Sequence, residues 1–278
     1  MNSIITNDLI NDGFGIIDNC IDQSLINDIK NDINQGLIEI LKKNDIESSA
    51  DWSENFGKVK EVLSHYEVQI ILSKRLINNG LISKIFLSEK LLHELILLIG
   101  PDIEYLSDFE IAINDKVVVN DDYLIKKFHQ EFWSGMGIEA LQFWIPVSLL
   151  PGMGTIEIVK KSHLWGHIPH QNREPLNALP NYESIELKIE EGSVAVMSAL
   201  TLHKSMINKH QIPRIAIPIT VRNFYYPRTG NNDLFNFKKL NLSFFSKLRK
   251  VLGNPHYSPF RTLGQKRKDF KNFNDKKR

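Results

Sequence analysis

Hydrophobic residues in the first hundred positions recur at the three-to-four-residue spacing of amphipathic helices. The longest run of this kind has the apolar positions Leu25, Ile26, Ile29, Ile33, Leu37, Ile40 and Leu41. Asp22 stands before the run as a candidate N-cap. A second helical stretch is predicted from about Val68 to Ile99, broken near Asn78-Asn79-Gly80 and ended by Gly100-Pro101. One short strand, Gly13–Asp18, is predicted ahead of a mainly helical N-terminal part.

After Pro101 the pattern changes to short segments of strand composition separated by turn residues. The predicted strands are Phe109–Ile113, Tyr123–His129, Ile138–Ser148, Thr155–Lys160, Ile185–Ile189, Ser193–Met197 and Arg214–Phe224. Many short strands of this kind are typical of a sandwich or a jelly roll. The segment 164–182 interrupts them with Pro, Asn and His, and is predicted to form a binding loop or lid. We expect one domain of residues 1–278, with a helical part at 1–100, a β core at 101–228 and a basic helical extension at 229–278.

The composition is that of a soluble globular protein, with 42% hydrophobic and 24% charged residues among 278. The longest strictly apolar run, near Leu95–Ile99, falls far short of the roughly 20 residues that a membrane span needs. The N-terminus lacks the basic start and apolar stretch of a secretory signal. Cys20 is the single cysteine, so an intrachain disulfide is excluded and a cysteine-based zinc site is not expected. These features predict a cytoplasmic protein.

The net charge of +1 conceals an uneven distribution along the chain. Residues 238–278 hold thirteen Lys and Arg against two acids, a net charge of +11, which leaves −10 for the rest. A basic tail of this kind can attract nucleic acid, anionic lipid or an acidic substrate carrier. The alternative is a solvated, partly helical extension without a partner.

Two histidines and one carboxylate form the candidate metal site. His129 and Glu131 lie two apart at the end of a predicted strand, where alternate side chains share a face. His-x-Glu alone is weak, because histidines near strand ends are often ordinary surface residues. His203 follows the predicted strand 193–197 and adds a second imidazole. This donor set is the one that non-heme iron(II) oxygenases use, with one face of the metal left open for oxygen and a co-substrate.

Arg214 is the candidate co-substrate residue. Residues 206–213 are polar enough to form a turn, so two adjacent antiparallel strands are predicted to carry His203 and Arg214. A guanidinium binds a carboxylate in bidentate fashion, and here it would hold the far carboxylate of 2-oxoglutarate. Ser205 lies two residues after His203 and is expected to face the same side. A structural salt bridge is the alternative role for Arg214.

The chain resembles a known family at several of these motifs. They are Asn11–Ile17 with its Asp-Gly-Phe, Phe128–Glu131, Ser162-His163, and the spacing His203-x-Ser205-x-x-Asn208 followed by Arg214. Together they resemble the phytanoyl-CoA dioxygenase-like family of Fe(II)/2-oxoglutarate-dependent oxygenases over most of the chain. The resemblance implies an α+β protein whose core is a double-stranded β-helix, a jelly-roll or cupin-like fold, with N-terminal packing helices and a basic C-terminal helical extension.

The same resemblance implies that Fe(II) binds to His129, Glu131 and His203, and that 2-oxoglutarate binds to Arg214 and Ser205. It places Trp144 near the co-substrate, and Gln142, which shares the face of Trp144, is a further candidate for the same site. Core packing is the alternative role for both residues. The implied reaction is O2-dependent hydroxylation of an unactivated C–H bond, with release of succinate and CO2. The implied substrate is a small molecule or a carrier- or sugar-linked metabolite.

Two departures from the family pattern bear on these expectations. Glu131 stands where the family usually has Asp, and Lys160-Lys161 replaces the usual Pro-Gly before Ser162. Glutamate still offers an anionic oxygen, so the second departure concerns the substrate more than the metal. Iron halogenases leave the carboxylate position empty for chloride, and Glu131 fills it, which favours hydroxylation or a related oxidation.

Four aromatic or imidazole residues are candidate substrate contacts. Trp133 follows the first ligand pair, while Trp165, His167 and His170 lie in the long loop, where recognition residues are common. Ordinary packing of the loop is the alternative.

Two other functions stay open: a metal-binding jelly roll without catalysis, and an oxygenase that acts on nucleic acid through its basic tail. Nucleic acid is disfavoured, because no aromatic residues alternate with bases on an evident strand face. No phosphate-binding loop, His-Glu-x-x-His motif or dinucleotide fingerprint is present.

Overall fold

The computed structural model describes residues 4–115, 126–225, 236–241, 243–245 and 247–248. The helices are α1 (Ile4–Asn11), α2 (Gln23–Lys43), α3 (Trp52–Val59), α4 (His65–Asn78), α5 (Leu81–Phe86) and α6 (Glu89–Ile99). The strands are β1 (Phe14–Ile17), β2 (Ile103–Leu106), β3 (Ala112–Asn114), β4 (Leu141–Ser148), β5 (Ile156–Val159), β6 (His170–Gln171), β7 (Glu174–Pro175), β8 (Ser184–Glu186), β9 (Val194–Ser198), β10 (His203–Ser205), β11 (Arg214–Asn223) and β12 (Phe237–Asn241). Two 3-10 helices span Glu131–Ser134 and Ser162–Trp165. Antiparallel sheet follows helices along the chain, which makes the fold a mixture of the two.

The N-terminal helices form where the apolar spacing predicts them. The buried positions of α2 are Ile26, Ile29, Ile33, Gly36, Leu37, Ile40 and Leu41. Asp22 is its N-cap residue, although its side chain makes no capping hydrogen bond. The predicted break falls between α4 and α5, where Gly80 has a left-handed φ of 72° and can adopt it without steric cost. Ser64 and Glu67 form a reciprocal capping box at the start of α4.

All strand pairs in the described part of the chain are antiparallel. The larger sheet has the order β1-β9-β4-β11-β2-β12, with β3 also paired to β11. The smaller sheet has the order β10-β5-β8, and β6 pairs with β7 in a separate hairpin. Side chains alternate between the two faces of the larger sheet. On β4, Phe143, Ile145 and Val147 join the helices in one hydrophobic core.

The opposite face of the larger sheet packs against the smaller sheet. Trp144, Ala195, Met197 and Ala216 come from the larger sheet and form a second core cluster with Ile156, Ile158 and Leu187. The space between the two sheets is therefore enclosed by short apolar strands. The parity of β11 puts Arg214 on the same face as Ala216, which faces the smaller sheet.

Two of the secondary-structure predictions are wrong within the described residues. Residues 126–128 form no strand, and His129 makes only an isolated bridge with His203; residues 123–125 of the predicted strand lie outside the described residues. The basic extension was expected to be helical, yet its first described segment, Phe237–Asn241, is the strand β12 paired with β2, whereas residues 244–245 and 247–248 are helical. Most of 229–278 lies outside the described residues. Among the helices that the structure describes, none combines the length and apolar character that crossing a bilayer requires.

Candidate metal centre

The three predicted metal ligands lie together. The backbones of His129 and His203 exchange two hydrogen bonds, of 2.9 and 3.1 Å, which sets their rings side by side with centroids 4.3 Å apart. Glu131 begins a 3-10 helix and does not continue a strand. Gln130, which lies between His129 and Glu131, is nevertheless extended, with φ −107° and ψ 139°. Glu131 therefore returns to the side of His129. One donor atom from each residue lies within 4.8 Å of the other two, and such a group could hold a metal ion.

The hydrogen bonds of the two imidazoles leave one nitrogen of each for a ligand. Nδ1 of His129 lies 2.7 Å from the carbonyl oxygen of Lys127, and Nδ1 of His203 lies 2.9 Å from that of Thr201. A carbonyl only accepts, so each Nδ1 carries the proton and donates it, as in metal-bound histidines. The Nε2 atoms lie 3.5 and 3.6 Å from Oε1 of Glu131. The extra methylene of glutamate thus still allows the carboxylate to meet both imidazoles.

Burial and neighbouring charges set the protonation of this group. Burial lowers the pKa of His129, and the nearby His203 lowers it further. Burial alone would raise the pKa of Glu131, but the two imidazoles that face it and the charge of Lys126 hold that pKa well below its usual range. A neutral His129 and an ionised Glu131 are the states that bind a metal ion. Nε2 of His129 is buried and has no hydrogen-bond partner, so the residues fit a cation at this point.

Gln130 braces the ligand segment. Its side chain is fully buried. Its Nε2 donates to the carbonyl oxygens of Gly166 (2.9 Å) and Leu200 (2.6 Å), and its Oε1 accepts from the backbone N–H of Ile168 (3.0 Å). The amide between the two ligands therefore ties them to the long loop and to the chain just before His203. The sequence offered no role for this residue.

A cavity of about 620 Å³ contains the three metal-ligand residues. Three of the predicted co-substrate residues, Ser205, Gln142 and Trp144, also line it. Gln142 accepts a hydrogen bond of 2.8 Å from the hydroxyl of Thr220 on the adjacent strand. Ile156, Met197 and Pro218 contribute apolar lining. The cavity thus has a polar end at the imidazoles and apolar walls from both sheets.

Arg214 lies at the start of β11, and the prediction that its strand pairs with that of His203 is wrong. β10 pairs with β5 in the smaller sheet, whereas β11 belongs to the larger sheet. Residues 206–213 cross between the two sheets, which a polar composition cannot distinguish from a hairpin turn. Arg214 is not among the residues that line the cavity, although its guanidinium carbon lies 5.8 Å from the centre of the Trp144 ring, which does line it.

The charge of Arg214 is buried, and Glu186 acts on it electrostatically without forming an ion pair. The residue is 1% exposed, and its Nη1 donates to the carbonyl oxygens of Gly154 (2.7 Å), Thr155 (2.8 Å) and Met206 (3.3 Å). No carboxylate among the described residues forms an ion pair with it, and its Nε is buried without a partner. Burial lowers its pKa to about 10. Such a cation is costly to keep unless an anion joins it.

The four residues expected at the substrate do not line the cavity that holds the triad. Trp133 stacks on His170 with ring centroids 4.6 Å apart and an interplanar angle of 8°. His167 lies 3.4 Å from His170, between ring nitrogens, and Trp165 ends the second 3-10 helix. These side chains are placed beside the helix that Glu131 opens. From the long loop, Asn172, Arg173 and Glu174 line the cavity instead, and composition alone did not distinguish them.

The remaining motif residues support the scaffold near the triad. Ser162 donates to the carbonyl of Val159 (2.7 Å) and accepts from the N–H of Leu202 (2.8 Å), next to His203. Asn208 donates to the carbonyls of Asn114 and Ile212, each at 2.9 Å. Gly13 has a φ of 86°, and a Cβ there would lie 2.4 Å from Nδ1 of His163. These residues hold backbone segments in place and do not reach the cavity.

The comparisons with known proteins support the fold. No protein-family model and no curated protein sequence matches the chain. Among solved structures, ThoJ without ligand, described as a non-heme monooxygenase, superposes with a TM-score of 0.60 at 15% identity, over 86% of this chain and 84% of that chain. The ThoJ–nickel complex gives a TM-score of 0.56 at 14% identity, over 87% and 85%. The chain therefore shares its fold with ThoJ over most of both proteins.

Proposed function

We propose that this protein is an Fe(II)- and 2-oxoglutarate-dependent dioxygenase built on a double-stranded β-helix, the jelly-roll core of cupin-like proteins. The observation that carries the proposal is the convergence of His129, Glu131 and His203 at one end of a cavity between two antiparallel sheets. Two imidazoles and one carboxylate are the donor set of this enzyme class. The shared fold with ThoJ, a protein described as a non-heme monooxygenase and also solved with nickel, supports the same class.

The buried guanidinium of Arg214 supports 2-oxoglutarate as the co-substrate. A dicarboxylate that binds the metal at one end would bring its second carboxylate to a buried cation that forms no ion pair with a described residue and whose Nε has no hydrogen-bond partner. Ser205 and Trp144 line the same cavity and are proposed to contact this ligand, with Gln142 beside them. When bound, iron(II) and 2-oxoglutarate supply the oxidising chemistry that transfers one oxygen atom of O2 to a substrate C–H bond and the other to succinate, with loss of CO2.

The protein's own contribution is ligand geometry, charge and exclusion of water. His129 and His203 hold their Nδ1 protons on backbone carbonyls, which keeps each Nε2 available. Gln130 fixes the segment between the first two ligands. Apolar walls from both sheets limit water at the reacting centre. We propose hydroxylation of a small molecule or a carrier-linked metabolite by a single domain of residues 1–278.

A metal-binding module without catalysis is the second candidate. Such a module would not need a buried cation beside the cavity. The buried Arg214 therefore favours the enzyme over this candidate. The nucleic-acid alternative depends on the basic tail, most of which lies outside the described residues, and no contact among the described residues favours it.

Succinate formation tests the proposed function. Purified protein is loaded with Fe(II) and 2-oxoglutarate without oxygen, then exposed to O2, and succinate is measured over time. We expect slow formation even without the natural substrate, and its loss in His203→Ala. His210→Ala is a matched control, because that imidazole lies outside the cavity lining and contacts the carbonyl of Pro151. Equal succinate formation by His203→Ala and the unmodified protein would contradict the proposal.

A further inference from the structure

Two exposed cations line the cavity at its opening to solvent, and neither forms an ion pair with an acid in the described part of the chain. Lys126, Lys127 and Arg173 line the cavity, together with Glu174 and Glu110. Lys127 pairs with Glu174 at 2.9 Å. No ion pair with a described residue is found for Lys126 or Arg173, and Glu110 is the remaining acid of the lining outside the metal triad.

Arg173 is held at the mouth by an unusual backbone. It forms the tip of the β6–β7 hairpin with Asn172, and the two residues have φ values of 62° and 52°. Two left-handed residues make the turn that a two-residue hairpin prefers, but arginine occupies this conformation far less readily than glycine or asparagine. A residue that adopts a costly conformation beside a cavity is a candidate for function.

The hairpin is fixed to the metal-ligand segment at two points. His170 of β6 stacks flat on Trp133, which lies two residues after Glu131. Glu174 of β7 pairs with Lys127, which lies two residues before His129. The position of Arg173 is therefore coupled to the segment that carries two of the three metal ligands.

Lys126 is fixed from the other side. Its carbonyl oxygen accepts a hydrogen bond of 2.9 Å from the backbone N–H of Ser205, two residues after His203. Lys126 also lines a second cavity of about 600 Å³, which shares Lys127, Glu174 and Ser205 with the first and adds Lys204 and Lys209. Lys204 is paired with Glu157, whereas no such pair is found for Lys209 among the described residues.

We propose that Lys126 and Arg173 bind an anionic group of the substrate, a phosphate or a carboxylate, and that the adjoining cavity accommodates the part of the substrate that carries it. This inference rests on the proposed function, because it assigns the end of the substrate that does not react. The two cations would hold the anion at the mouth and direct the remainder of the molecule toward the triad. Arg214 is not part of this anion site, because it is buried outside the cavity lining and is proposed to bind the co-substrate.

Binding of small anionic probes tests the proposal without turnover. The protein is loaded with Mn(II), saturated with 2-oxoglutarate so that the Arg214 site is filled, and titrated by calorimetry with phenyl phosphate and with phenylacetate. Benzyl alcohol is the neutral control probe. We expect at least one anion to bind, the better of the two identifying the anionic group. Lys126→Gln or Arg173→Gln should weaken this binding about tenfold, as loss of a charge-assisted hydrogen bond does.

Lys188→Gln is the matched control variant, because this exposed lysine lines a different cavity and its loss changes the net charge equally. Equal weakening by Lys188→Gln would overturn the proposal, as would equal binding of benzyl alcohol or failure of both anions to bind. The titration is repeated with metal-free protein, since neither cation depends on the metal. If the protein binds neither Mn(II) nor 2-oxoglutarate, the proposed function is refuted. Probe binding to the metal-free protein would in that case still support the anion site.

Discussion

Replacement of Arg214 by methionine removes a buried charge while keeping a long side chain. In the unmodified protein, burial lowers the arginine pKa from 12.5 to about 10. A shift of that size corresponds to about 3 kcal/mol of unfavourable burial of the charged form. An incoming carboxylate would offset most of this penalty, because it supplies a direct ion-pair partner. Loss of about 3 kcal/mol from binding is a factor of about 100 in affinity.

We therefore expect Arg214→Met to weaken 2-oxoglutarate binding about 100-fold while Mn(II) binding without 2-oxoglutarate stays within about threefold of the unmodified protein. The metal affinity should persist because the triad makes no hydrogen bond with Arg214. The assay is calorimetric titration of Mn(II)-loaded protein with 2-oxoglutarate, with thermal unfolding measured in parallel to show that the variant is folded.

Arg75→Met is the matched control, because it removes an arginine that pairs with Asp32 and Glu39 on the helical layer. It should lower stability slightly and leave the 2-oxoglutarate affinity unchanged. A dissociation constant for Arg214→Met within about threefold of the unmodified protein would refute the assignment of Arg214 to the co-substrate.

Three further predictions address the ligand brace, the scaffold and the buried thiol. Gln130→Met removes three buried hydrogen bonds and should weaken Mn(II) binding by about 10- to 100-fold in the calorimetric titration; unchanged affinity would show that the brace is dispensable. Gly13→Ala should lower the free energy of unfolding by at least about 2 kcal/mol in urea titrations. The reasons are the positive φ of this position and the clash of the added Cβ with the His163 ring. Gly57→Ala, where a Cβ meets nothing within 4 Å, should be neutral or slightly stabilising, and equal losses would remove the steric explanation. Burial raises the pKa of Cys20 to about 12, so iodoacetamide at pH 8 should label it only in urea; rapid labelling of the folded protein would contradict its burial.

The raised pKa of the Cys20 thiol also makes the free energy of unfolding depend on pH. Burial raises the thiol pKa in the folded protein from its ordinary value of 9.0 to about 12, so folding favours the protonated form. The stabilising effect is complete below pH 9 and is lost as the pH rises from 9 toward 12. Cys20→Ala should abolish that part of the alkaline loss of stability in urea titrations at several pH values.

The strands β4, β9 and β11 were predictable from the sequence, because each is a run of mostly apolar residues that is buried on both faces and bounded by turn residues. β4, β9 and β11 alternate between the helical layer and the smaller sheet, and each was predicted with its ends shifted by a few residues. The strand β2 has only four residues and includes Glu104, whose burial depends on its ion pair with Arg222 far along the chain, so it was missed. β12 was also missed, because its pairing with β2 depends on a contact with a strand more than a hundred residues earlier.

The candidate metal triad was predictable because residue type and spacing carry its chemistry. The environment of Arg214 was less so, since the sequence indicated a hairpin between His203 and Arg214 where the chain crosses between sheets. The role of Gln130 depends on backbone atoms of Gly166, Ile168 and Leu200, which any residue type would supply. Arg173 gave no signal in composition, because its position depends on the hairpin that lifts it to the cavity.

Metal stoichiometry tests the candidate centre most directly. Fe(II) is titrated without oxygen into the unmodified protein and into His129→Ala, Glu131→Ala and His203→Ala, with bound iron measured after gel filtration. We expect one Fe(II) per chain in the unmodified protein and almost none in the three variants, each of which removes one donor of a buried three-donor group. Full iron occupancy in the variants, or none in the unmodified protein, would contradict the assignment of this centre.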